Sequence, residues 1–83
     1  MNRAEVYALI DAERDQQRVK WGAPHDWGQG DCSSPDVADT VKAAVLSEEC
    51  GEVARAVLDG DGLRRELVQV AAVAVAWLEW FDQ

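Results

Sequence analysis

Acidic and amide side chains recur at helical spacing in two segments of the chain, and these are the residues best suited to chemistry. The first segment holds Glu48, Glu49 and Glu52, and the second holds Glu66 and Gln69. On an α-helix, residues three or four positions apart share a face, so each set would point its oxygens in one direction. Magnesium prefers oxygen ligands of this kind. If the two segments are helices that pack antiparallel, they would enclose one oxygen-rich metal site.

The residues around these acids are apolar, which is not typical of a solvated acidic surface. Val45 and Ala56 flank the first set on the same helical stripe, and Val73 follows the second. A charged group on a half-buried face costs free energy unless something neutralises it. Acidic runs are also common on ordinary solvated helices. The apolar flanks favour a bound dication over that alternative.

The order of these residues resembles the metal-binding motifs of the all-α nucleotide pyrophosphohydrolases, the MazG-like and dimeric dUTPase group. Glu49-x-x-Glu52 and Glu66-x-x-Gln69 match the ExxE and ExxD motifs of that group in order and gap. The segment ERxxQxxKWG at residues 13–22 is similar to the one that precedes the acidic motif in short MazG-like proteins of phages and actinobacteria. Together the motifs cover most of the chain. They imply hydrolysis of an NTP or dNTP to the monophosphate and pyrophosphate, with magnesium or manganese as cofactor.

The resemblance also suggests a role for each acidic residue. Glu48, Glu49, Glu52 and Glu66 would hold the metal, with Gln69 as a further ligand. Glu48 or Glu49 could instead accept the proton of the attacking water.

Gln69 is the departure from this pattern, because the group carries an aspartate there. A neutral amide attracts a dication more weakly than a carboxylate. One interpretation is a looser metal site in which Glu48 compensates. The other is a catalytically inactive binding module whose acidic face occupies a basic protein site or mimics nucleic acid.

Glu13, Gln17, Lys20 and Trp21 lie at positions i, i+4, i+7 and i+8, near one face of the predicted first helix. Gln17 could read a base edge, Lys20 could neutralise a phosphate and Trp21 could stack on a base. Glu13 could pair with Lys20 or support the metal. The alternative is a solvated helix end, but the resemblance favours a substrate-binding face.

The chain carries 16 Asp and Glu against eight Lys and Arg, for a net charge of −8. Direct binding of nucleic acid is not expected, because that needs a basic surface. Cys32 and Cys50 are too few and too irregularly spaced for a zinc site or a disulfide framework, so we expect reduced thiols.

The pattern predicts one all-α domain over residues 1–83, a small antiparallel arrangement of three helices. We expect helices at about 3–19, 36–58 and 62–82, with an irregular loop at 22–35. Ser33 or Ser34 would cap the second helix, Gly60 would end it, and Asp61 would cap the third.

The segment from Val68 to Phe81 is apolar on nearly all sides, and one 83-residue chain can hardly cover it. We therefore expect a homodimer or homotetramer that completes a four-helix-type bundle. The same segment is too short to span a bilayer, and we see no signal-peptide pattern. The expected location is the cytoplasm, or the host cytoplasm for a phage protein.

Overall fold

The computed structural model describes all 83 residues and confirms an all-α fold. Its helices are α1 (Arg3–Lys20), α2 (Asp39–Asp59) and α3 (Leu63–Trp80). Two short strands, β1 (Pro24–His25) and β2 (Gly28–Gln29), form an antiparallel hairpin between α1 and α2. Helices α1 and α2 each pack against α3 and not against each other. This arrangement leaves a cleft between α1 and α2, with α3 as its floor.

Helix α1 begins where a capping box stabilises its first turn. The side chain of Asn2 accepts a hydrogen bond from the Glu5 amide at 2.9 Å, and the Glu5 carboxylate accepts one from the Asn2 amide. This pair satisfies two backbone donors that the helix cannot. The buried residues of α1 are Arg14 and Gln17, so the second half of the helix docks through polar groups.

The segment predicted as an irregular loop contains the β1–β2 hairpin, in which His25 pairs with Gly28. Gly28 has φ +127°, and a Cβ on it would lie 2.6 Å from the carbonyl oxygen of Asp36. Only glycine fits this backbone position without strain. The sequence did not reveal the hairpin because two-residue strands have no alternating pattern to detect.

The start of α2 differs from the prediction. The helix begins at Asp39 and not near residue 36, and Ala38 at its N-cap makes no side-chain hydrogen bond. The Ser34 hydroxyl instead donates to the carbonyl of Gln29 at 2.6 Å, and the Asp36 carboxylate accepts from the Gln29 amide at 2.7 Å. Ser34, one of the two residues expected to cap α2, therefore binds the hairpin, as does Asp36.

The turn between α2 and α3 is partly as predicted. Gly60 adopts the left-handed conformation, with φ +71°, and ends α2. The predicted cap at Asp61 is wrong, because Gly62 is the N-cap of α3 and no side chain caps this end. Helix α3 stops at Trp80, and Phe81 is already extended.

The apolar core is small. Cys32, Val73 and Ala76 form it, with Val45 and Leu46 packed alongside. Both cysteines are free, as expected. None of the three helices is both long enough and apolar enough to cross a bilayer.

Lys42 is an unusual member of the interior. Its side chain is fully buried, and its Nζ has no hydrogen-bond partner. The Nζ atom lies 4.9 Å from the centroid of the Trp80 ring, a cation–π contact. The sequence pattern does not predict a role for this residue.

Candidate metal centre and adjoining cleft

Three carboxylates from two helices converge at one side of the cleft. Glu49 and Glu52 on α2 and Glu66 on α3 each place a carboxylate oxygen within 4.8 Å of the others. Glu49 and Glu66 are half-buried, whereas Glu52 is exposed. The three-residue turn between α2 and α3 makes these helices neighbours, so their predicted acidic faces meet.

The charge on Glu49 is unfavourable in this setting. Burial, together with the negative charges of Glu52 and Glu66, raises the pKa of Glu49 from 4.5 to about 7. A basic group in contact with the cluster is Arg65, whose Nε lies 3.5 Å from Glu66 Oε1 on an exposed side chain. A hard dication would relieve the repulsion, and the all-oxygen donor set fits magnesium or manganese.

Gln69 lies between two of these carboxylates. With its NH2 turned toward them, it donates to Glu49 Oε2 at 3.2 Å and to Glu66 Oε2 at 3.0 Å. With the amide rotated the other way, its carbonyl oxygen would join the carboxylates as a fourth oxygen. Gln69 is thus placed either to satisfy the cluster by itself or to help hold a cation.

Glu48, predicted as a further ligand, does not join the group of three. Its side chain is exposed and lines the cleft beside Glu49. This position suits a proton acceptor better than a ligand.

The cleft measures about 1100 Å³ and brings the two predicted sets of residues together. The second half of α1, the hairpin and α2 form its walls. The predicted site residues that line it are Glu13, Gln17, Lys20, Trp21, Glu48, Glu49, Glu52 and Gln69. Glu49 and Glu52 of the acidic cluster therefore share one cavity with the α1 face, whereas Glu66 does not line it.

The aromatic residues lie at the α1 side of the cleft. Trp21 is half-buried, and its ring meets the His25 ring edge-on with centroids 5.4 Å apart. Trp27 at the hairpin tip is 56% exposed and also lines the cleft. Lys20 Nζ lies 5.2 Å from the Trp21 ring centroid, and the suggested Lys20–Glu13 ion pair is not formed.

A buried network of charged residues lies beneath the α1 side of the cleft, and the sequence did not predict it. Arg14 Nη1 donates to Asp31 Oδ2 at 2.7 Å and to Gln17 Oε1 at 2.9 Å, and Arg14 also pairs with Glu79. Burial acts to raise the pKa of Asp31, but hydrogen bonds from Ser33 and Arg14 outweigh it and hold that pKa below 3.8. The three-residue spacing of Arg14 and Gln17 predicts that they share one helix face. The sequence did not predict that Asp31 and Glu79 are the partners of Arg14.

The shifted pKa values of Glu49 and Asp31 predict an unusual pH dependence for the stability of the metal-free protein. Glu49 has a raised pKa in the fold, so its contribution is fully present below about pH 4.5 and is lost as the pH rises through about 7. Asp31 has a lowered pKa, so its contribution is present above about pH 3.8 and is lost below its folded pKa. Thermal unfolding in chelator should therefore show greatest stability on the acid side of neutrality. Glu49→Gln should remove the loss toward pH 8, and a melting temperature that rises steadily from pH 4.5 to 8 in the unmutated chain would contradict the assignment.

The fold and the site together define a small all-α protein with a carboxylate cluster beside an aromatic cleft. No protein-family model, curated protein or solved structure matches the chain.

Proposed function

We propose that this chain is a metal-dependent nucleoside triphosphate pyrophosphohydrolase of the MazG-like kind, which cleaves an NTP or dNTP to the monophosphate and pyrophosphate. The observation that carries this proposal is the shared cleft, which has a carboxylate cluster on one side and Trp21 with Lys20 on the other. Its volume of about 1100 Å³ is sufficient for a nucleotide. The carboxylates with their metal, together with Lys20, would serve the phosphates of a nucleotide, and Trp21 would serve its base.

Glu49, Glu52 and Glu66 would hold the metal, with the carbonyl oxygen of Gln69 completing the set. Magnesium or manganese bound there would neutralise charge on the phosphate oxygens and acidify the attacking water. The carboxylates converge already, so little reorganisation of the protein is needed.

The side chains around the metal centre have separate roles in the proposed reaction. Glu48 accepts a proton from the water that attacks the α-phosphorus, forming the new P–O bond. The bond between the α-phosphorus and its bridging oxygen breaks, and pyrophosphate leaves with the electron pair. Lys20 neutralises phosphate charge, and Trp21 stacks on the base.

Pyrophosphate release from a panel of NTPs and dNTPs, with magnesium or manganese present, tests the proposal directly. We expect release that depends on metal and is abolished by chelator. Absence of release from every nucleotide would refute the enzymatic function.

A second candidate function is an acidic binding module without catalysis. It is favoured by Gln69, whose NH2 can satisfy Glu49 and Glu66 with no metal present. An enzyme should gain thermal stability with millimolar magnesium, because a specific site binds the folded state. The thermal stability of an acidic binding module should depend mainly on ionic strength. Sodium chloride at matched ionic strength therefore separates the two candidate functions.

The α1 side of the cleft supplies a kinetic prediction. If Trp21 stacks on the base, Trp21→Ala should raise KM by the equivalent of about 1–3 kcal/mol, the range for base–aromatic stacking. Metal affinity should be unchanged, because Trp21 does not belong to the carboxylate cluster. Steady-state kinetics and a metal titration of the same variant check both statements. An unchanged KM would assign Trp21 to packing with His25.

The working form is proposed to be a homodimer or homotetramer, because α2 and α3 leave large apolar side chains uncovered. Leu58 is 80% exposed and Leu67 is 51% exposed. A second copy covering these helices would give the four-helix-type bundle that the sequence predicts.

Leu67→Glu should dissociate this assembly without unfolding the chain, because the side chain is already half exposed in one copy. Sedimentation at micromolar concentration would measure the loss of the oligomer. Tyr7→Glu, which adds the same charge at an exposed apolar position on α1, is the matched control and should leave the assembly unchanged. A monomeric unmutated chain would refute the oligomer.

A further inference from the structure

The side of the α2–α3 pair that faces away from the cleft carries two apolar stripes without a charged residue. Helical spacing produces one stripe on each helix, and neither stripe lines the cleft. Several of these side chains are exposed, although charged residues make up 29% of the chain. Such a patch is typical of a surface that another protein covers. We call it the α2–α3 face, and it consists of Leu46, Cys50, Val53 and Val57 on α2 and Leu63, Leu67, Val70, Ala74 and Leu78 on α3.

The surface area of the chain indicates what covers this face. One copy exposes 5716 Å², whereas a monomer of 9.1 kDa typically exposes about 4,900 Å². The excess is about 800 Å², which is one partner's share of a standard protein–protein interface. The face has no charge with which a basic partner could pair, whereas the same face of a second copy matches it in size and polarity.

The contact between α2 and α3 is weakly packed where the carboxylate cluster joins the two helices. The apolar core lies beside the first half of α2, where Val45 and Leu46 pack against it. In the second half of α2, Ala56 is the only buried residue. The carboxylate cluster lies between the core and Ala56 along α2, and its like charges repel α2 from α3. Little apolar packing therefore opposes separation of the helices at the cluster.

A dication and a second copy would hold this same contact from opposite sides. Glu49 and Glu52 line the cleft, while their neighbours Cys50 and Val53 belong to the α2–α3 face. We propose that a second copy of this chain binds the α2–α3 face, and that metal binding and self-association strengthen each other. The proposal rests on the metal site of the proposed function but not on hydrolysis. The coupling is reciprocal, because both events favour the same arrangement of α2 and α3.

Sedimentation of the unmutated chain, without nucleotide, tests the coupling. The Kd of the dimer should fall roughly fivefold or more when millimolar magnesium replaces chelator, the lower end of the usual range for coupled sites. Sodium chloride keeps the ionic strength equal, because screening alone also favours association of two copies that each carry a charge of −8. A Kd that does not change with magnesium would overturn the proposal, and so would a chain that stays monomeric in both conditions.

Two substitutions that each remove one carboxylate distinguish metal binding from the loss of a charge. Glu52→Gln removes a member of the cluster, so the Kd of the dimer should no longer respond to magnesium. Glu48→Gln removes the same charge one turn away, from a residue outside the cluster, and should keep the response. Both residues are exposed and neither belongs to the α2–α3 face, so both variants should fold. Equal responses of the two variants would contradict the role of the cluster.

Calorimetric titration with magnesium gives the reciprocal measurement. The affinity for magnesium should be higher at protein concentrations above the Kd of the dimer than at concentrations below it. Dilution compares dimer with monomer in the unmutated chain, so the result does not depend on the folding of a variant. An affinity that is independent of protein concentration would refute the coupling.

Cys50 reports on the position of the interface. It is the exposed cysteine of the chain, whereas Cys32 is buried. Alkylation of Cys50 by N-ethylmaleimide should be slow in the dimer and fast after dilution to the monomer. Near the Kd of the dimer, magnesium should slow the reaction because it increases the dimer fraction. Equal rates in dimer and monomer would show that the second copy does not bind the α2–α3 face.

Failure of this proposal and failure of the proposed enzyme give different results. Assembly that is coupled to magnesium, without pyrophosphate release from any nucleotide, would support the coupling and refute hydrolysis. Pyrophosphate release by a dimer whose Kd does not change with magnesium would refute the coupling alone.

Discussion

Glu52→Gln is expected to abolish metal-dependent hydrolysis while leaving the fold intact. The carboxylate belongs to the converging group of three, and the amide keeps its size but removes its charge. Loss of an outer-shell partner already costs about 10–100-fold in metal affinity or activity, so loss of a direct ligand should exceed roughly 100-fold. Because Glu52 is exposed, its substitution leaves no buried group unpaired.

Removal of this charge should also stabilise the metal-free protein. The charge of Glu52 helps to raise the pKa of Glu49 to about 7, so Glu49 should ionise more easily in the variant. Melting temperature in chelator should rise near neutral pH, while the gain in stability from magnesium should disappear. Retention of metal-dependent turnover in Glu52→Gln would remove the carboxylate cluster from the mechanism.

Gln69→Asp should have the opposite effect on metal affinity. It supplies the acid that the resembling group carries and replaces the amide that lies 3.0 Å from Glu66 Oε2. Metal affinity should increase, and metal-free stability should fall because a fourth charge joins the cluster. A titration that shows no gain in affinity would mean that the motifs on α2 and α3 do not form one site.

The parts of the fold that follow from local rules were predictable from the sequence. The three-residue spacing of Glu49 and Glu52 shows which face they share, and the glycine at position 60 explains where α2 ends. The convergence with Glu66 followed from one further assumption, a short turn between neighbouring helices. Helical periodicity and chain connectivity were sufficient for this half of the candidate site.

The remaining features depend on contacts between distant residues. Arg14 pairs with Asp31, 17 positions away, and with Glu79, 65 positions away, and no periodicity links them. The start of α2 was misplaced for the same reason, because Ser34 and Asp36 bond to the hairpin and not to the helix. A residue that can cap a helix can equally well bond elsewhere, and only the tertiary fold decides which bond forms.

Substitution by methionine should change the stability of the protein in opposite directions at the two buried cations, Arg14 and Lys42. Arg14→Met would leave Asp31 and Glu79 without their partner, and breaking a buried ion pair costs about 3–5 kcal/mol. Total stability of a domain is only about 5–15 kcal/mol, so this variant should lose a large part of it and unfold at a clearly lower temperature. Because the loss comes from the unpaired carboxylates, protonation of Asp31 in mild acid should partly restore the stability.

Lys42→Met should stabilise the protein. Lys42 Nζ is fully buried, has no hydrogen-bond partner, and gains only a cation–π contact with Trp80. That contact is worth up to about 2 kcal/mol, which is less than the several kcal/mol needed to bury an unpaired charge. Methionine fills a similar volume without this penalty, so we expect a gain of about 1–3 kcal/mol. For a domain of this size, each kcal/mol corresponds to a shift of roughly 4–8 °C in Tm.

Differential scanning calorimetry of both variants gives a direct comparison, because the substituted residue is the same and only the surroundings differ. Pyrophosphate release by Lys42→Met should be unchanged, since Lys42 does not line the cleft. A lower Tm for Lys42→Met would show that the contact with Trp80 outweighs the burial of the charge. In that case the ammonium group, and not its apolar stem, stabilises the packing of α2 against α3.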